Sequence, residues 1–131
     1  MSKSKLIDSR DKARRLIKAS LAKKPGEPLV LDVRVDNSTW DYFIFLTSTS
    51  SPHARAIVDE LTRISKEEGI AIHHVESDEE WAWVLIDYFD VIVHIFSQEK
   101  RQFYRLERLF KNAKKVRFRF KTSESLKNKI S

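Results

Sequence analysis

The spacing of apolar positions changes several times along the chain, and each change marks an element. Residues 4–24 place Leu6, Ala13, Leu16, Ile17 and Leu21 at helical spacing among Lys and Arg, which predicts an amphipathic helix stopped by Pro25-Gly26. Residues 29–35 switch to alternation: Leu29, Leu31, Val33 and Val35 share one face of a half-buried strand and Asp32 and Arg34 the other. Asp36-Asn37-Ser38 supplies a turn, and residues 42–47 are apolar at both parities, as in a central strand covered on both faces. Ser50 or Ser51 suits the cap of a second helix, with Pro52 at its first position. Ala54, Ile57, Val58, Leu61 and Ile64 form its buried stripe, and Gly69 is its stop.

Three short β segments follow at 70–75, 81–87 and 91–96, then a helix over 98–112 on which Phe103, Leu106 and Phe110 recur at helical spacing. Residues 115–120 alternate and fit an edge strand, whereas 122–131 are polar enough for a disordered tail. The order αββαβββα, with a helical crossover between the second and third strands, predicts an α/β fold with a mixed sheet of about five strands packed against helices. The domain is expected to span 1–112, with 113–131 as a basic C-terminal extension.

Asp87-Tyr88-Phe89-Asp90 separates two apolar runs and predicts a tight hairpin. A symmetric pairing puts Trp83 opposite His94 and Asp87 opposite Asp90, so that an aromatic, a histidine and two carboxylates share one sheet face. Such a cluster reads either as core residues beside a turn or as a functional surface.

Charge narrows the choice. The net +6 of the 131 residues conceals a segregation: residues 1–24 carry +7, residues 25–110 carry −8 and residues 111–131 carry +7. An acidic body attracts basic partners and repels phosphate, while basic ends can touch a polyanion nearby. The run Glu76, Asp78, Glu79, Glu80 beside Trp81 and Trp83 suits a basic protein surface, because Arg pairs with carboxylates and stacks on indole. Val116, Phe118 and Phe120 among Lys and Arg fit either a base-stacking platform or a basic edge strand.

Several chemistries are excluded or weakened. The chain has no cysteine, which removes disulfides, thiol nucleophiles and thiolate metal sites. No apolar run approaches the ~18 residues of a membrane span, and a soluble, cytoplasmic protein is expected. Metal-assisted nucleotidyl transfer by Asp87 and Asp90 near the hydroxyl run Thr47 to Ser51 lacks a phosphate cradle, since no Gly lies between Gly26 and Gly69. No nucleophile-elbow pattern supports a serine triad of Ser50, His94 and Asp87. His73 and His74, on a strand, would project from opposite faces and could not chelate one ion, although His74 and Glu76 would share a face.

Leu31-Asp32-Val33, Asp41-Tyr42-Phe43-Ile44, Trp83-Val84-Leu85-Ile86-Asp87, the run Asp90 to Phe96 (D-V-I-V-H-I-F) and Arg101-Gln102-Phe103-Tyr104-Arg105-Leu106-Glu107 resemble the ribosomal silencing factor (Iojap) family. The resemblance covers about residues 12 to 112. It implies a nucleotidyltransferase-like fold without the active site, hence no enzyme and no cofactor. It further implies a factor that binds the large ribosomal subunit through its protein number fourteen and sterically blocks subunit joining, repressing translation, and that forms homodimers when free. Trp83, Asp87, Asp90, His94, Arg101 and Tyr104 occupy family-signature positions. Glu79 and Tyr88 lie beside them and would join the partner-binding surface. Ser48, Ser77 and Phe89 stand where the family has glycine, and each is expected to alter a turn. The competing readings are a nucleotidyltransferase-like enzyme and a free-standing RNA-binding module.

Overall fold

The first helix, α1 (Ser9–Leu21), opens where the Asp8 carboxylate accepts a hydrogen bond from the Asp11 amide at 2.8 Å. It buries Ala13, Leu16 and Ile17 as its apolar spacing requires, and Lys12 and Ser20 with them. The computed structural model describes residues 7–35, 39–105, 108, 110 and 112–120. Leu6, the expected turn at 36–38, Leu106 and the expected tail at 122–131 lie outside the described residues.

The chain continues as β1 (Gly26–Asp32), β2 (Tyr42–Ser48), α2 (Ser51–Glu68), β3 (His74–Ser77), β4 (Trp83–Asp87), β5 (Val91–Ser97), α3 (Gln98–Tyr104) and β6 (Lys114–Lys115). The strands form one mixed sheet of order β3-β4-β5-β2-β1-β6. At its centre β2 and β5 run parallel, Phe43 beside Ile92 and Phe45 beside His94, and the other neighbours are antiparallel. All seven residues of β2 are buried, as its unbroken apolar run predicts.

One face carries Val30, Tyr42, Ile44, Leu46, Val84, Ile86, Val91, Val93 and Ile95 and is covered by α1 and α2. The other carries Leu31, Phe43, Phe45, Ile92 and Phe96, against which Trp40, Trp83, Leu85, Phe110 and Ala113 pack. Ser50 caps α2 through the His53 amide, with Pro52 in second position, not first, and Gly69 ends it at φ 69°. The buried stripe of α2 is closed by Ser65 in place of half-buried Ile64, because Ser65 meets the Tyr88 hydroxyl at 3.0 Å.

Four elements depart from the sequence expectation, one of them β3, expected over 70–75 and observed as His74–Ser77 because its pairing with β4 begins where His74 meets Asp87. β1 begins at Gly26 and ends at Asp32, where its pairing with β2 and β6 stops, and Val35 beyond it is 66% exposed. The final helix spans seven residues instead of reaching 112: Arg105 adopts a left-handed φ of 47° and closes it through the Arg101 carbonyl. Phe103 is consequently 77% exposed, while Phe110 crosses to Phe43 with ring centroids 4.9 Å apart. Beyond it the edge strand expected over 115–120 is reduced to β6, two residues paired with β1, while Val116, Phe118 and Phe120 pack against the helix-covered core outside any strand.

The β4–β5 pairing is displaced by two residues from the symmetric expectation: Trp83 faces Phe96, Leu85 faces His94 and Asp87 faces Ile92. A shift of two preserves the face, so Trp83, Leu85, Asp87, Ile92 and His94 still share one side. Asp90 does not join them. Its carboxylate turns to α1, where Lys12 Nζ lies 2.7 Å away and also donates to the Tyr88 carbonyl at 3.2 Å. Its own carbonyl accepts from the Asp41 and Tyr42 amides.

The Lys12 ammonium is nearly enclosed while Asp90 keeps access to water, which makes the pair asymmetric. Asp90→Asn is expected to destabilise the fold by about 1–2 kcal/mol in urea unfolding, because it strands an enclosed cation. Lys12→Met should cost less than about 1 kcal/mol, since the freed carboxylate can hydrate.

Candidate functional site

The hairpin β4–β5 and helix α3 place the signature residues Trp83, Asp87, His94, Arg101 and Tyr104, but not Asp90, on the side of the sheet away from α1 and α2, and only some of them reach the surface. Trp83 is half-buried on β4, stacks on Phe96 at 5.6 Å and meets Tyr104 of α3 at 5.3 Å. Tyr104 remains 41% exposed and Phe103 stands beside it. Glu76, Ser77, Asp78, Trp83 and Leu85 line a shallow cleft of about 240 Å³. Glu76 pairs with Leu85 across β3–β4, so a carboxylate flanks the aliphatic floor.

The acidic turn that follows β3 is shaped by Asp78, whose Oδ1 accepts from the Ala82 and Trp83 amides at 2.8 and 3.3 Å. That leaves Glu79 and Glu80 exposed on the turn. Trp81 is not part of the same face: it packs against the helix-covered core, with the Arg55 guanidinium 4.2 Å above its ring. The aromatic partner of Trp83 is therefore Tyr104, which a continuous 98–112 helix did not single out.

Four of the expected contact residues are structural supports. Tyr88 is fully buried beneath α2, and burial pushes its hydroxyl up to about 12 despite the Ser65 hydrogen bond, so it cannot join an exposed surface. Arg101 is buried as well and donates to the Glu27 carbonyl at 2.7 Å and to Thr47 Oγ1 at 2.8 Å, tying α3 to β1 and β2. Asp90 is engaged with Lys12, as described above. His94 is 5% exposed and sits between Phe45, 5.1 Å away and nearly coplanar, and Phe96 at 5.8 Å. Among the described residues neither of its ring nitrogens has a hydrogen-bond partner, nor has Trp83 Nε1. Desolvation lowers the His94 pKa from 6.5 to about 4, so it is a neutral aromatic spacer near neutral pH.

Asp87 lies at the end of β4 with Oδ1 accepting from the Phe89 amide at 2.7 Å and Oδ2 3.8 Å from His74 Nδ1. Asp87 and Asp90 thus point to different partners, and the paired carboxylates that nucleotidyl transfer requires are not formed. The expectation that His73 and His74 diverge also fails. His73 precedes β3, so strand alternation does not govern it, and the two rings lie 5.1 Å apart. Ser48 and Ser77 fall inside β2 and β3, not in turns. Phe89 does occupy a turn and takes the left-handed φ of 79° that glycine would accept more readily, leaving its ring 53% exposed.

The model of the family described as "Ribosomal silencing factor during starvation" matches residues 6–130. The chain belongs to the ribosomal silencing factor family. Among curated relatives, the ribosomal silencing factor of Halalkalibacterium halodurans is 35% identical over 72% of this chain and 80% of that protein. That of Bacillus subtilis is 34% identical over 70% and 77%. The chloroplastic protein Iojap of Zea mays is 32% identical, over 79% of this chain and 47% of that protein. Two crystal structures share the fold. One from Bacillus halodurans is 30% identical with a TM-score of 0.73, covering 84% of this chain and 100% of that one. One from Chromobacterium violaceum is 25% identical with a TM-score of 0.76, covering 91% and 98%.

The burial of His94 in this ribosomal silencing factor fold has a measurable consequence. The unfolded chain takes up a proton near 6.5 and the folded chain only near about 4, so folding is most favoured above that window and loses stability as pH falls through it. The limiting loss is roughly 3 kcal/mol. His94→Phe keeps the ring stack and removes the titration. Between about pH 7.5 and about pH 5, urea unfolding of the wild type should lose roughly 2 kcal/mol more than that of the variant.

Proposed function

We propose that this family member binds the large ribosomal subunit through its protein number fourteen and sterically blocks joining of the small subunit, repressing translation in the cytoplasm without catalysing a reaction. The observation that carries the reading is the exposed aromatic and acidic face built from Trp83, Leu85 and Tyr104, with Glu76, Glu79 and Asp87 around it. A partly exposed indole beside carboxylates fits a basic protein surface, since guanidinium groups pair with the acids and stack on the ring. On this reading Glu79, Trp83, Asp87 and Tyr104 touch the partner, while Tyr88, Asp90, His94 and Arg101 hold the face in shape.

Electrostatics supports the orientation. The acidic face adjoins edge strand β3, whereas α1 and residues 114–120, with Arg10 over Phe118 and Lys18 over Phe120, gather positive charge toward the opposite edge. Such a molecule can present its acidic edge to a ribosomal protein and its basic edge to nearby rRNA. A homodimer of the free protein belongs to the same proposal. So does the division into a core spanning 1–112 and a basic extension.

Sedimentation of the purified protein with separated ribosomal subunits tests the reading. Tyr104→Ala and Trp83→Ala should each weaken large-subunit binding, the latter by about 30-fold, as expected for an anchor of roughly 2 kcal/mol. Circular dichroism must show both variants folded. Binding lost only in proportion to an unfolded fraction would make Trp83 purely structural and displace the docking face.

Changing Arg117 and Arg119 to Gln should flatten the salt dependence of subunit binding while keeping the preference for the large subunit, because these charges act through counterion release. Glu79→Lys with Glu80→Lys should remove the preference instead. The reverse assignment of these two effects would favour the RNA-binding reading.

A further inference from the structure

We propose that His73, His74 and Asp87 form a binding site for a divalent transition-metal ion of the zinc type, at the outer edge of the sheet. Each residue offers a ligand atom, and the three atoms all lie within 4.8 Å of one another. Around a tetrahedral ion with bonds of about 2.0–2.2 Å, ligand atoms stand roughly 3.3 Å apart. The 3.8 Å from His74 Nδ1 to Asp87 Oδ2 is therefore close to a bound geometry, and both residues are paired directly across β3 and β4. Contraction around the ion needs side-chain movement only at exposed His73 and His74.

The groups behind these atoms already orient them. Glu76 Oε2 lies 2.9 Å from His74 Nε2. A carboxylate only accepts, so the contact with Glu76 suits the tautomer with its proton on Nε2, in which Nδ1 is the nitrogen available to an ion beside Asp87. That is the carboxylate–histidine arrangement that supports metal-ligating imidazoles. Asp87 Oδ1 is held by the Phe89 amide at 2.7 Å, which leaves Oδ2 as the oxygen facing His74. His73 is fixed at its backbone, whose amide donates to the Asp87 carbonyl at 2.7 Å, and its ring packs on Phe89 at 4.9 Å.

Two imidazoles and one carboxylate favour zinc, cobalt, nickel or copper over magnesium or calcium, which prefer oxygen donors. Three ligands on an exposed edge leave a coordination position open to solvent. A bound ion would also clip β3, whose four residues are all exposed, to the end of β4.

Calorimetric titration of the untagged full-length chain with ZnCl2 and, separately, MgCl2 tests the site without any ribosomal component. The expected result is one zinc ion per chain, no magnesium binding, and a Tm raised by zinc, as a ligand specific to the folded state requires. His73→Ala, His74→Ala and Asp87→Asn should each lower zinc affinity by about tenfold or more and abolish the visible absorption bands of a cobalt-loaded sample. His53→Gln, remote from the cluster, should bind as the wild type does. His73 and His74 are exposed, so their variants are expected to fold, and circular dichroism checks it. Zinc affinity unchanged in both histidine variants, or no saturable zinc binding by the wild type, overturns the proposal.

Discussion

The parallel pairing of β2 with β5 governs the rest of the architecture. Both strands are apolar at both parities, so the sheet they start must be covered on two faces. α1 and α2, of 13 and 18 residues, cover one of them. Among the described residues the other receives the seven residues of α3, Trp40 and the segment around Phe110 and Ala113. A helix of that length reaches about 10 Å. Six strands spaced at about 4.8 Å span about 24 Å. Cover therefore runs out toward β4, and Trp83, Leu85 and Tyr104 are left partly open. The candidate docking face is the part of the aromatic layer that the described elements leave uncovered.

Where the aromatic layer is covered, an ionisable residue serves as core. His94 lies where β5 is flanked by Phe45 and Phe96, and a flat ring suits the gap between two flat rings. Its nitrogens go without partners, so burial is tolerated only in the neutral form. Arg101 shows the opposite solution. Its guanidinium is enclosed but meets the Glu27 carbonyl and the Thr47 hydroxyl, so the charge fastens α3 across two strands.

How much of this was legible in the sequence depends on whether an interaction was local. Periodicity located α1, α2 and the central strands, and the resemblance supplied the family, because both rest on patterns within short windows. Parity survived a two-residue error in the β4–β5 register, so the shared face of Trp83, Asp87 and His94 was legible although their pairings were not. Depth was not legible. Tyr88 and Asp90 flank one turn, yet the first meets Ser65 of α2 and the second Lys12 of α1, contacts made across the fold. The early end of α3 was hidden for a related reason: Phe103, Leu106 and Phe110 keep helical spacing, but the helix closes at Arg105 and Phe110 meets Phe43, a contact distant in sequence. β3 lacked any apolar alternation, its four residues being exposed, so the approach of His73 and His74 to Asp87 had no signal in spacing.

The β4–β5 turn joins these threads. Phe89 holds a left-handed conformation, at a cost of about 1–2 kcal/mol for a residue with a Cβ. Asp87 offsets part of that cost by accepting the Phe89 amide, and the same carboxylate is thereby turned so that its second oxygen faces His74. The exposed phenyl ring lies against His73. Glycine would relieve the backbone but would remove one of the two rings that pack on His73, leaving His74. The bulky residue at this turn is thus coupled to the histidine pair before β4, and the strain it carries is a consequence of building an ordered polar cluster on an otherwise unsupported sheet edge.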